Sequence, residues 1–227
     1  MPSTYVTPDL FRFLAELAQN NDRAWFDARR DRYEEVVRAP LLRLIEDFEA
    51  PLSAISPHLE ADARRTGGSL FRIHRDTRFS RDKSPYKTWA AIQFRHEKAR
   101  NVHAPGYYLH LQPGNVFAAA GVWRPDREAL GAIRERIAES PEPWRRLRED
   151  LARAGFRFEG ESLKRVPGGF DAAHPAAEEL KRKDYVVVRT LGETEVCAPD
   201  FLERYEEVCR SAAPLMRYLT AALGLPW

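Results

Sequence analysis

The residues best suited to chemistry lie between positions 71 and 87, which read Phe-Arg-Ile-His-Arg-Asp-Thr-Arg-Phe-Ser-Arg-Asp-Lys-Ser-Pro-Tyr-Lys. Six bases (Arg72, Arg75, Arg78, Arg81, Lys83 and Lys87) face only two acids, Asp76 and Asp82. The local excess is about four positive charges, against +2 for the whole chain. Guanidinium forks beside ammonium groups suit a phosphate or a carboxylate. The segment therefore predicts a site for a small anion built from Arg72, Arg75, Arg78, Lys83, Tyr86 and Lys87, with Asp76 orienting an arginine and Arg165 and Lys181 as distant contributors. The alternative is an internal ion-pair network in which the two acids clamp the arginines to hold a loop. Two acids cannot neutralise six bases, which favours the ligand.

A second group lies downstream. Tyr108, His110 and Gln112 alternate with Leu109 and Leu111, so one strand face would carry all three polar side chains toward the same cavity. His74, Asp76 and His110 form a candidate acid and base set across strands. The six histidines (His58, His74, His96, His103, His110 and His174) show no zinc or HExxH spacing, so no metal is expected. Gly67-Gly68 and Gly168-Gly169 lack the framework of a phosphate-binding loop and are read as turns. There is no Gly-x-Ser-x-Gly elbow, and neither cysteine has a histidine nearby, so nucleophilic hydrolase chemistry has no support. The sequence names no cofactor and no reaction. The tryptophans are read as core or rim aromatics rather than a base-stacking platform.

These groups need a scaffold, and the periodicity supplies one. Thr7-Pro8-Asp9 opens a helix with Leu10, Phe13, Leu14 and Leu17 on one stripe, and two further helices carry the chain to Ile55. From Ser69 the period changes. Phe71 and Ile73 alternate with Arg72 and His74, which predicts a strand with the two apolar residues in the core. Further strands are predicted at 88–95, 106–112, 116–123, 156–158 and 185–191, with Pro113-Gly114-Asn115 as a tight connection. Helices follow Pro125-Asp126 and Pro143-Trp144. A long last helix opens at Pro199-Asp200 and contains Pro214. The fold class is α+β, an antiparallel sheet of about five strands with N-terminal helices and a long C-terminal helix packed against it. With no repeat, low-complexity tract or linker, residues 1–227 are expected to form a single domain.

Composition narrows the function classes. A chain of 227 residues with 44% hydrophobic content can bury a sizeable core. A net charge of +2 argues against coating nucleic acid through the overall field and leaves only a local patch to do so. Neither a signal-like amino terminus nor a membrane-length apolar run is present, and Cys197 and Cys209 read as reduced thiols, so a cytoplasmic protein without membrane contact is expected. Arginine outnumbers lysine 30 to 6, and five of the lysines (Lys83, Lys87, Lys164, Lys181 and Lys183) fall in irregular segments. No heptad seam declares an oligomer.

The run Phe-Arg-Phe-Leu-Ala-Glu-Leu-Ala-Gln-Asn-Asn-Asp-Arg-Ala-Trp-Phe near the start and Arg-Asp-Thr-Arg-Phe-Ser-Arg-Asp-Lys-Ser-Pro-Tyr-Lys resemble a mainly bacterial family, the domain of unknown function DUF2461. Residues 106–111, Gly121-Val122-Trp123-Arg124-Pro125, and 165–170 with His174-Pro175 and Leu180-Lys181 extend the similarity over nearly the whole chain. The resemblance implies one complete domain in which the basic motif belongs to the fold. It brings no established catalytic residue or cofactor. The function expected is binding of a small phosphorylated or carboxylate ligand, as an enzyme of undefined reaction or as a binder. The alternatives are a nucleic-acid surface, tested by salt dependence, and a module for acidic partner peptides.

Overall fold

A computed structural model of the chain describes residues 4–99 and 104–227. The N-terminal quarter is helical: α1 (Pro8–Gln19), α2 (Arg23–Asp27), α3 (Arg30–Tyr33), a π-helical turn (Glu34–Arg38), α4 (Ala39–Asp47) and α5 (Glu49–Ile55). There follow β1 (Leu59–Glu60), β2 (Ala90–His96), β3 (Gly106–Gln112), β4 (Asn115–Val122), α6 (Arg127–Glu139), α7 (Pro141–Arg153), β5 (Arg157–Glu159), α8 (Ala177–Leu180), β6 (Tyr185–Leu191), α9 (Glu193–Val196) and α10 (Phe201–Ala222). The class is α+β, with a six-stranded sheet rather than five strands, in the order β1-β2-β3-β4-β6-β5 and antiparallel throughout. The added strand, β1, is only two residues long and too short to leave a period in the sequence.

Each long strand divides its side chains between two faces. Ile92 and Phe94, Tyr107, Leu109 and Leu111, Ala118 and Ala120, and Tyr185 and Val187 point into the main core. Leu10, Phe13, Leu14 and Leu17 of α1, Leu44, Ile45 and Phe48, and Tyr205, Val208, Ala212, Leu215 and Leu219 of α10 meet them there. The opposite face is built differently. Ala119, Val186 and Val188 form a small separate cluster with Tyr108 and Phe117, and among the described residues no helix contributes to it. Among the described residues no helix is long and apolar enough to cross a membrane.

The chain between β1 and β2 doubles back on itself. Ser69 and Phe71 pair with Gln93 and Ala91, His74 bridges Tyr86, and Lys87 N–H donates to the Ile73 carbonyl. The result is an arm that leaves the β2 edge and carries residues 76–84 at its tip. Asn21, in the turn between α1 and α2, clamps its base: the Asn21 amide donates to the Tyr86 carbonyl and accepts from Tyr86 N–H, each at 3.0 Å. The ring of Tyr86 stacks on Phe26 at 4.1 Å. Two of the sequence motifs, Gln-Asn-Asn-Asp and Ser-Pro-Tyr-Lys, therefore lock to each other. The strand expected at Phe71–His74 does not form as a regular ladder, and Phe71 and Ile73 do not share a face. Leu70 bridges Ile92 and packs on the core with Ile73, whereas Phe71 turns to the open face against Trp89 and Tyr108.

Candidate functional site

The open face of the sheet is the floor of a groove of about 730 Å³. Gly106, Gly121, Ala119, Val186 and Val188 keep the floor low, and the rings of Phe71, Tyr108 and Phe117 rise from it. Gln93, Arg95 and Glu159 supply polar lining, and Trp123, 56% exposed, stands at the rim. The low floor is enforced by backbone. Gly106 pairs with Gly121 across β3 and β4, and a Cβ on Gly106 would lie 2.8 Å from the Phe94 carbonyl oxygen.

One row of this face is a hydrogen-bonded relay. Gln112 Oε1 can only accept, so His110 Nε2 carries the proton and donates to it at 3.1 Å. Nδ1 then accepts from the Tyr108 hydroxyl at 3.0 Å. Trp89 at 5.2 Å and Phe117 at 4.7 Å sandwich the imidazole. Burial lowers the His110 pKa from its ordinary value near 6.5, opposed by the bond to Gln112, and raises Tyr108 to about 12. Both groups are neutral near pH 7. Both imidazole nitrogens and the Tyr108 proton are spent within the row, which leaves the Tyr108 oxygen able to accept.

The sign of the pH effect follows. The unfolded chain protonates His110 at a higher pH than the folded one, so the stability linked to neutral His110 is complete above about pH 6.5 and is lost as pH falls through the depressed folded value. His110→Gln keeps a donor and an acceptor but cannot titrate. Urea unfolding at pH 7.5 and pH 5 is expected to show a shallower acid loss in this variant than in the wild type. Equal losses in the two proteins would show that His110 is not held neutral. His74, also lowered by burial and by neighbouring Arg30, Arg72 and Lys87, is common to both.

The arm meets the groove through Lys87. Its ammonium lies 5.1 Å from the Trp89 ring centre and 5.6 Å from that of Phe71, and it donates to the Arg72 carbonyl. Burial, aided by the charge of Arg72, lowers its pKa. Further out, the arm is stapled to itself. Asp76 accepts from Arg78 N–H, Nε and a terminal guanidinium nitrogen, which hold its carboxyl at about 2. Asp82 accepts from the amide and hydroxyl of Ser84 and from Arg75, and these bonds hold its carboxyl well below the ordinary range. Lys83 donates to the Thr77 carbonyl at 2.9 Å. Arg72 and Arg81 have no carboxylate partner among the described residues.

The sequence candidates are thus separated. Tyr108 lines the groove, His110 is bonded to it, and Lys87 lies 5.6 Å from the ring centre of Phe71, another lining residue. Arg75, Asp76, Arg78 and Lys83 lie along the arm, and His74 and Tyr86 pack on Phe26 on its inner side. Asp76, His74 and His110 each have their own partners and share none, so they make no acid and base set. Arg165 is exposed in the loop after β5, and Lys181 pairs with Glu178 beside the Ser162–Arg182 bridge, across the sheet from the arm. Strands β2, β3 and β4, at roughly 4.8 Å spacing, lie between the arm and the β6 end that Lys181 precedes. Groove residues that the sequence reading did not single out are Phe71, Phe117, Gln93 and Arg95. The alternation that marked Tyr108 also runs through β2 and β4 and could have identified the last three.

Among the described residues no group of His, Cys, Asp and Glu side chains could hold a metal ion, and His103 lies outside them. Both cysteines are free thiols whose pKa values burial raises, which makes them poor nucleophiles. No curated protein matches the sequence. A family model described as a conserved hypothetical protein matches residues 9–218, a span that takes in the arm, all six strands and most of α10. The chain belongs to the DUF2461 family.

Proposed function

We propose that the protein binds a small planar anion on the open face of its sheet. The observation that carries this reading is Lys87, a cation partly withdrawn from water beside the rings of Trp89 and Phe71, of which Phe71 lines a groove whose floor takes no helix from the described residues. A flat ring laid between Phe71, Tyr108 and Phe117 gains stacking and apolar burial. Its acidic substituent reaches Lys87 or Arg95, and the Tyr108 oxygen, whose proton is given to His110, can accept from a ring N–H. Tyr108, His110 and Lys87 are kept from the sequence reading, and the anion site moves from the arm to its base. A nucleotide or an aromatic carboxylate has the required shape, whereas phosphate, sulfate or a sugar phosphate lacks the ring.

Thermal unfolding against those compounds tests the reading. A ligand at about 100 times its Kd stabilises by roughly 2.7 kcal/mol, and at this size each kcal/mol raises the midpoint by about 2 to 4 °C. The ring-bearing anions are expected to give this shift, and Tyr108→Ala and Lys87→Ala to remove it. A flat panel, or an equal shift from inorganic phosphate, would overturn the reading.

A further inference from the structure

We infer that the ring held in the groove is a base of a single-stranded nucleic acid and the anion its phosphate, and that the strand continues from the groove onto the arm; this rests on the reading just given for the groove. Three pairings of a cation with an aromatic ring occur at the end of β4, at the start of β2 and at the arm tip. Arg124 lies 5.9 Å from the Trp123 ring centre at the end of β4, Lys87 lies over Phe71 and Trp89 at the start of β2, and Arg78 lies 5.8 Å from the Phe79 ring centre at the arm tip. Trp123 and Phe79 are the large exposed hydrophobic residues among those described, at 56% and 95% exposure. Trp123 lines the groove at the β4 end, and Phe79 stands on the arm that leaves the β2 edge.

Repeated rings with adjacent cations match a polymer whose repeating unit is a flat base and a phosphate. The charge agrees. Arg72, Arg81, Arg95 and Arg124 have no carboxylate partner among the described residues, whereas the carboxylates lining the groove are engaged, Glu159 by Arg157 and Asp126 by Ala129 N–H. Phe71 and Tyr108 meet edge to face at 85° on an open sheet face, a setting for unstacked bases, and among the described residues no helix lines the groove to enter that of a duplex. From the level of Trp123 to that of Trp89 the track spans about seven residues of strand, roughly 23 Å, and the arm adds to it. A mononucleotide would fill only the central part.

The experiment compares fluorescence anisotropy of a labelled oligonucleotide of about ten nucleotides, with AMP, a duplex of the same sequence and vesicles containing phosphatidylserine as alternatives. The oligonucleotide is expected to bind far more tightly than AMP, with an affinity that falls steeply with salt at about 0.7 logarithmic units per phosphate contact. Phe79→Ala, at a side chain with no packing role, is expected to weaken the oligonucleotide about tenfold and to leave AMP binding unchanged. Arg81→Ala is expected to lower the salt slope. If AMP binds but the oligonucleotide is no tighter and Phe79→Ala is silent, the polymer is excluded and the small-ligand reading stands. A duplex that binds as tightly as the single strand would overturn the inference, as would vesicle binding that depends on Phe79 without oligonucleotide binding. Absence of both AMP and oligonucleotide binding would remove both readings.

Discussion

Glu179→Ala is expected to lower the unfolding midpoint by on the order of 10 °C. Glu179 is buried on the single turn α8, and its carboxylate is shared three ways: it accepts from Trp144 Nε1 at 3.1 Å and Arg182 Nε at 2.9 Å, and pairs with Arg148 at 2.8 Å. The same turn accepts the Tyr185 hydroxyl at its backbone, and Arg134 of α6 donates to the Arg182 carbonyl. Glu179 therefore joins α6, α7 and β6 at one point. Removing one partner of a buried charged group costs about 3 to 5 kcal/mol, because the others are left desolvated and unpaired, and each kcal/mol is worth about 2 to 4 °C here. Glu179→Gln keeps an acceptor for Trp144 and is expected to lose less. A thermal scan of both variants checks this; an alanine variant within a degree of the wild type would mean that water replaces the carboxylate without cost.

Gly121→Ala is expected to cost about 3 kcal/mol. Gly121 sits in the middle of the sheet at a φ of 128°, and a Cβ there would lie 2.0 Å from the Tyr185 carbonyl oxygen and 3.0 Å from the Val186 Cα. The obstacle is the backbone of β6 and cannot rotate away, so the ladder itself must open. Gly114, in the turn between β3 and β4, is the control. Its φ is 72°, but nothing lies within 4 Å of a Cβ, so alanine there carries only the conformational penalty of about 1 kcal/mol. Urea unfolding of the pair separates the two effects. Equal losses would show that β6 yields to the added methyl group.

Much of this arrangement was legible from residue order. The strands at 106–112 and 185–191 have the bounds that alternation gave them, and the stripe Phe201, Tyr205, Val208, Ala212, Leu215 and Leu219 is buried along α10. Alternation also placed Tyr108, His110 and Gln112 on one face. It could not say that no helix covers that face, since this depends on where residues distant in sequence come to rest. Phe71 was misassigned because period-two reasoning assumes a regular ladder, and here Leu70 takes the core position instead. The charge count of the arm could not show how its cations are held. Carboxylates are not the sole partners of lysine, and the carbonyls of Thr77 and Arg72 hold Lys83 and Lys87. Asp184 carried no sequence signal at all, yet its buried carboxylate accepts from Arg124 N–H and Glu161 N–H and fixes the two loops at the rim.

The strand order has one more result. An extended sheet with a bare face invites other chains to add themselves at its margins and grow into aggregates. Here the outermost strands are β1, two residues long, and β5, three residues long with Arg157 and Glu159 at its ends. An incoming chain finds a few hydrogen-bonding positions at either margin and then runs out of template. Short margins let the sheet keep an open face without offering neighbouring chains a long edge to pair with.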